Sequence, residues 1–330
     1  MATQIIKIED YRGYQALNYS TLAGLSNSPE TLLKKKRVAT KAMEMGTVVD
    51  TLLTDPSNIS EITYIDKYVL PKDDTKLGMF VRQVFPDTSD EDKKQRVYDE
   101  INAGVAKPRD NFESLCAKAE EAFKRMHLVK LFRESGIIVL TEEEFVKCSE
   151  LAGTFSSHPF SAYLFNKEKG VETIFQLPIA FDYKDVHMKA CIDIFRIDHN
   201  TKTIYPKDIK TTHHLYDFYK SVGDYRYDLQ SAIYTMAAQA YNQDLLRGEY
   251  TVAPFEFVCG SFEHPGKILK YTLKHPDMQH ILEGGWVGKL GKKYKSVDQL
   301  IEDMQWYYAQ AKYEYQREVY ENNGTIELTL

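Results

Sequence analysis

The sequence predicts an α/β fold on two groups of observations. Five stretches, 171–182, 188–198, 203–210, 255–262 and 267–273, carry the alternation or β-branched content of strands. Among and after them stand helical patterns, chiefly 227–234 and the amphipathic 297–321. With 330 residues the chain has room for one large domain or two small ones. No internal repeat or low-complexity linker divides it, so a single domain over 1–330 is expected. An apolar fraction of 43% is ample for its core.

Taken in order, residues 1–14 read as an arm or edge strand. Asn18, Ser20 or Ser26 can start a helix, with Pro29 and Glu30 in a first turn. MGTVVDTLL (45–53) reads as a helix whose Gly46 permits close backbone approach. From about 57 to 135 the chain turns polar and charged, with PKDDTK, PDTSDEDKKQ and KPRD marking loops. That stretch is expected to be a helical insertion over the sheet and the most mobile part. The expected plan is therefore a helical N-terminal part (1–135), a core (136–275) and a helical tail (276–330), with 297–321 as one long helix.

Composition removes several classes. Cys116, Cys148, Cys191 and Cys259 lie far apart with no C-x-x-C spacing, which argues against a zinc ribbon, an iron–sulfur cluster or a disulfide framework and suits a reducing cytosol. No apolar run of about 18 residues and no charged-then-apolar leader is found, so neither a membrane span nor a signal peptide is expected. The net charge of −6 runs against a nucleic-acid partner, although a basic channel can coexist with an acidic exterior. KKKRVATK (34–41) is the best local basic run, either a solvated helix end or a phosphate contact through Lys35, Lys36 and Arg37. KLGKKYK (289–295) is a second, weaker cluster.

The chemistry concentrates in CIDIFRID (191–198) and YPKDIK (205–210). Asp208 and Lys210 are two residues apart on a strand, so both leave the same face, about 6.6–7 Å apart. Asp193 arrives from the preceding strand. Carboxylates hold a hard divalent cation through oxygen, and such a cation lowers the pKa of bound water and polarises a phosphate. The lysine can steer that water or neutralise charge on the phosphorane. The alternative is a set of turn carboxylates and a solvated lysine. Downstream, YDLQSAIY (227–234) puts Tyr227, Gln230 and Tyr234 at i, i+3 and i+7 on one helix face, suited to phosphate, sugar or base, or else to packing in a half-buried helix.

The order D…D-x-K-T-T…Y-x-x-Q-x-x-x-Y resembles the PD-(D/E)XK nuclease superfamily, and within it the branch of exonuclease VIII (RecE), the lambda-exonuclease-like phage enzymes and the RecB nuclease domain. LTEEEFVKCSELAGTFSSHP (140–159) is similar to the helix before the catalytic sheet. LNYSTLAGLSNSPETLLKKK (17–36) with MGTVVDTLLTDP (45–56) is similar to the N-terminal motif, and FEFVCGSFEHPGKILKYTL (255–273) to the final strand pair. The likeness covers most of 15–60 and 136–275; its order and spacing are specific, while no single piece is.

This resemblance implies a restriction-endonuclease-like core, a central mixed sheet flanked by helices with a helical N-terminal elaboration. It implies a Mg²⁺-dependent exodeoxyribonuclease, with Mn²⁺ able to substitute, that degrades duplex DNA 5′ to 3′ in phage-type recombination. The expected setting is the host cytoplasm, with a single-strand annealing protein as partner and a homo-oligomeric ring as assembly. The rivals are an endonuclease or single-strand-specific nuclease on the same core, and an inactive DNA-end-binding or assembly factor. Asp193, Asp208 and Lys210 become catalytic; Asp193, Asp208, Ile209, Asp50 and Glu172 fall to the metal; Gln230, Tyr234, Tyr227, Lys35, Lys36 and Arg37 fall to the substrate.

Three residues depart from the pattern. Ile192 stands where the proline before the first aspartate would be, Asp50 replaces a histidine, and Pro206 lies inside the second catalytic strand. Proline removes a ladder donor, so pairing should begin at Lys207 or a bulge should form. His213 and His214 read as surface histidines; Glu263 and His264, in a turn, carry no assigned role.

Overall fold

A computed structural model describes residues 3–33, 39–68, 70–273, 278–288 and 292–326. They form two compact units: residues up to Thr54 together with Ser149 onward, and Asp55–Cys148. The insertion expected at 57–135 falls inside the second unit, which is wider at both ends.

The first unit opens with β1 (Gln4–Ile5), an edge strand as its position suggested, and α1 (Tyr19–Asn27). Asn18 caps α1, its side-chain oxygen accepting from the N–H of Thr21 at 2.9 Å. A 3-10 turn over Pro29–Leu33 and α2 (Lys41–Thr54) follow. The second unit holds α3 (Ile59–Ile62), β2 (Thr63–Asp66), α4 (Lys76–Val84), α5 (Glu91–Ile101), α6 (Phe112–Glu134) and β3 (Ile138–Thr141). It is not purely helical, because β2 and β3 pair in parallel. It also has its own buried cluster, with Phe80, Val81 and Val84 against Leu115, Ala119 and Phe123. The polar loops had hidden this core, whose apolar residues sit at helical spacing between them.

The chain continues through α7 (Glu142–Ser157), β4 (Val171–Tyr183), β5 (Val186–Asp198), β6 (Thr203–Thr211), α8 (Phe218–Tyr225), α9 (Tyr227–Leu245), β7 (Thr251–Val252), β8 (Glu256–Gly260) and β9 (Ile268–Thr272). β10 (Trp286–Val287), β11 (Lys293–Tyr294), α10 (Val297–Gln310) and α11 (Arg317–Glu321) complete it. The central sheet runs β1-β4-β5-β6-β8-β9, with β7 also on β6. Its first four strands are antiparallel, β6 is parallel to β7 and β8, and β9 turns back antiparallel. It is a mixed sheet flanked by helices. A parallel pair needs a long crossover, and α8 and α9 supply it. α9 packs on β4, β5 and β6, burying Leu229, Ala232, Ile233, Ala237 and Ala238 against sheet residues including Ile192, Phe195 and Phe257. Its alanines let helix and sheet approach closely.

Pro206 neither delays pairing with β5 to Lys207 nor forms a bulge, because that pairing already begins at Thr203. The β5–β6 register passes through it unbroken, Phe195 facing Pro206, so there is no bulge. On the other edge β7 ends its pairing at Ile204 and β8 begins at Lys207. The proline thus sits between two partners, where no ladder donor is missed. The tail departs from expectation: Ala311 takes a left-handed φ of 51° and ends α10, so 297–321 is two helices.

Gly260 of β8 is closely covered. A Cβ there would lie 2.8 Å from Phe155 ring carbons and 3.0 Å from Leu151. Gly260→Ala is expected to cost about 1–3 kcal/mol by overpacking, read as a lower melting midpoint; an unchanged midpoint would mean that α7 yields freely.

Candidate active site

The site starts from strand register. Ile194 faces Lys207 across β5 and β6, so one step further Asp193 stands opposite Asp208. Residues opposite one another on antiparallel strands share a face, with Cβ atoms about 4.5–5.5 Å apart. Pairing stops at that step, and the Asp193 carboxylate closes the ladder by accepting the N–H of Ile209 at 3.1 Å through Oδ2. Lys210 follows Asp208 on the same face, its ammonium in contact with Asp208 Oδ2. The Tyr227 ring lies 4.7 Å from Lys210 Nζ, a cation–π contact that steadies the ammonium.

Asp50 reaches this cluster because of Gly46, one helical turn earlier on the same face of α2. A Cβ at Gly46 would lie 2.9 Å from Thr211 Oγ1, so its absence lets α2 approach β6. Asp50 Oδ2 then accepts from Gln176 Nε2 at 3.0 Å, and the same nitrogen lies 3.4 Å from Asp193 Oδ1. Gln176 occupies β4 opposite Asp193, at the one step the β4–β5 pairing skips between Phe175 and Leu177. Sequence reasoning missed it; the only signal was a lone amide inside the apolar run IFQLPIA.

Three carboxylates therefore share a buried region with one ammonium. Burial, then the charges of Asp208 and Lys210 in opposition, moves the Asp50 carboxyl up to about 6. Asp193 is pushed well above the usual carboxylate range by burial, then by Asp208 and Asp50. Burial pulls the Lys210 ammonium down, but Asp208 foremost, with Tyr227 and Asp193, holds it above its ordinary value. Cys191 beside the cluster is pushed up to about 12 by burial, then by Asp193.

Two carboxylate oxygens, Asp50 Oδ1 and Asp208 Oδ2, are buried and accept no hydrogen bond; the second touches Lys210 outside hydrogen-bonding geometry. Unsatisfied buried acceptors are costly, and these two mark where positive charge is wanted. As placed, no three His, Cys, Asp or Glu side chains among the described residues converge on one ion position. Gln176, Gln230 and Lys210 hold the carboxylates instead. The fit to a hard divalent cation lies in the donor set, all oxygen and all anionic.

The other expected residues divide. Gln230 is buried, and its Nε2 donates to Asp208 Oδ1 at 2.5 Å. Tyr234 is also buried, edge-on to Tyr19 and Phe255 with centroids 6.5 and 5.7 Å away. Burial keeps its hydroxyl protonated. Tyr227 is half-buried against Phe218 and Phe257. Through Gln230 and Tyr227 this helix face meets Asp208 and Lys210. Ile209 contributes its N–H. Glu172 is not brought to the cluster; it is exposed on β4, four residues before Gln176 and 3.8 Å from His199 Nε2. Lys35, Lys36 and Arg37 lie outside the described residues. His213 and Glu263 pair at 2.8 Å, both exposed.

No family model matches the chain, and no curated protein matches it. Among solved structures, the "Putative exonuclease" of Eubacterium rectale is similar over 71% of this chain and 82% of that one, at 11% sequence identity and a TM-score of 0.35. A likeness that distant carries no functional weight. No helix among the described residues is long and apolar enough to cross a membrane.

Proposed function

We propose that the chain is a metal-dependent deoxyribonuclease, an exonuclease of the RecE-like kind that degrades one strand of a duplex from its 5′ end. The observation that carries this is the meeting of Asp50, Asp193 and Asp208 with Lys210, two buried carboxylate oxygens being left without a hydrogen-bond donor. A set of buried carboxylates with a single ammonium is a poor stabilising device and a suitable holder for Mg²⁺ or Mn²⁺. Asp50, Asp193 and Asp208 would hold the ion, which when bound supplies an acidified water and a polarised phosphate.

The chain's own groups do the rest. The Ile209 N–H and the Gln176 amide fix the two oxygens of Asp193. Gln230 fixes one oxygen of Asp208. Lys210 places its ammonium beside the attacking water or against the negative oxygens of the phosphorane, where a donor gains strength in a low-dielectric setting. Tyr227 beneath it limits where the ammonium can go.

The test is purified protein with Mg²⁺ on linear and covalently closed duplexes, the linear one labelled at each 5′ end. Release of label as mononucleotide from linear DNA alone, abolished by chelator, is expected. Cleavage of the circle would replace the exonuclease by an endonuclease, and binding without release would leave an end-binding factor.

A further inference from the structure

We propose that Gln176 is a positioning residue, whose kinked backbone aims its amide between Asp50 and Asp193. The inference rests on the reading of these aspartates as a metal-dependent site.

Gln176 has a φ of 50° inside the 13-residue strand β4. The other non-glycine residues with positive φ among those described are Lys184, Lys202, Arg226, Arg247, Ala311 and Asn323, all in turns or at helix ends. A left-handed residue within a strand costs on the order of 1–3 kcal/mol and persists only where its surroundings over-determine it. The register is the same on both sides of the kink, Phe175 facing Ile194 and Leu177 facing Ile192, so no residue has been inserted. What the kink changes is the aim of one side chain, at the step where the opposing residue is Asp193.

The amide has a defined sense. A carboxylate can only accept, so the NH₂ end must face Asp50 and Asp193. Each of its two hydrogens has one acceptor, at 3.0 Å and 3.4 Å, while Oε1 takes the Cys191 thiol at 3.4 Å. One group thus bridges two carboxylates that would otherwise repel, one on a helix and one on a strand. It also sets the rotation of Asp50: with Oδ2 held, Oδ1 is left bare and buried. Outer partners of this kind orient metal ligands, and losing one costs about 10–100-fold in metal affinity or activity.

The test is Mn²⁺ titration calorimetry on the intact chain, with kcat and KM measured separately, for wild type, Gln176→Gly and Gln176→Asn. Glycine accepts the φ and deletes the amide; asparagine tolerates the φ and keeps an amide on a shorter arm. Gln176→Gly should fold, bind Mn²⁺ about 10–100-fold more weakly and lose kcat with little change in KM. Gln176→Asn should bind Mn²⁺ more tightly than Gln176→Gly. Equal Mn²⁺ affinity in wild type and Gln176→Gly overturns the proposal, as does an asparagine variant no better than glycine. A glycine variant that fails to fold makes the residue structural and overturns it too. If the wild type itself binds no Mn²⁺, the nuclease reading is what has failed.

Discussion

Replacing Lys210 by alanine is expected to lower the rate of phosphodiester hydrolysis by on the order of 10²–10³-fold, the usual loss when one preorganised charge-stabilising group is removed. Asp208→Ala should do at least as much. The Lys210 ammonium contacts Asp208 Oδ2, and its position over the Tyr227 ring is fixed by packing rather than by solvent. Duplex binding should survive Lys210→Ala, because phosphate contacts elsewhere hold the DNA. The measurement is single-turnover hydrolysis with a binding assay in Ca²⁺. Near-wild-type turnover in either variant would end the catalytic assignment.

The second large effect concerns stability, and its sign is opposite to that of most core substitutions. Asp193→Asn and Asp50→Asn are expected to raise the melting midpoint in chelator, by on the order of 1–3 kcal/mol of stability. At neutral pH the unfolded chain carries these charges in water without penalty. The folded chain holds them in a buried region beside other carboxylates, where the charged form is disfavoured. Asparagine keeps the shape and an acceptor oxygen, and drops the charge. Adding Mn²⁺ should reverse the ranking. Wild type gains about 2.7 kcal/mol when the ion is a hundredfold above its dissociation constant, while the variants gain little. An Asp193→Asn chain that is stabilised by Mn²⁺ as much as wild type would remove Asp193 from the ligand set. On the proposed reading, the arrangement would trade stability for function.

The strands were legible because alternation and β-branching are properties of residue type, and all five expected segments are found close to their read bounds. Asp193, Asp208 and Lys210 were legible as well, since register follows from strand spacing. What could not be read belongs to the backbone. Nothing in the glutamine at 176 announces a φ of 50°, and alanine, the best helix former, gives no warning that Ala311 ends a helix. Glu172 misled because a carboxylate opening a strand looks the same whether it faces a cluster or solvent. The face of Tyr227, Gln230 and Tyr234 was recognised correctly as one face; burial, invisible in spacing alone, turned it inward to Asp208 instead of outward.

The bond between Gln176 and Asp50 joins residues 126 positions apart in the chain. Asp193, Asp208 and Lys210 belong to neighbouring strands and form as the sheet forms. Asp50 instead arrives by closing a very long loop, and contacts of that range are late and slow to form. The site is thus expected to form in two stages, a sheet-borne part first and a helix-borne part that docks onto it. Local opening of α2 can remove Asp50 while the sheet stays folded, since proteins open in units of unequal stability. Loss of Mn²⁺ binding on heating is then expected to precede global melting, and hydrogen exchange at α2 is the measurement that tracks the first.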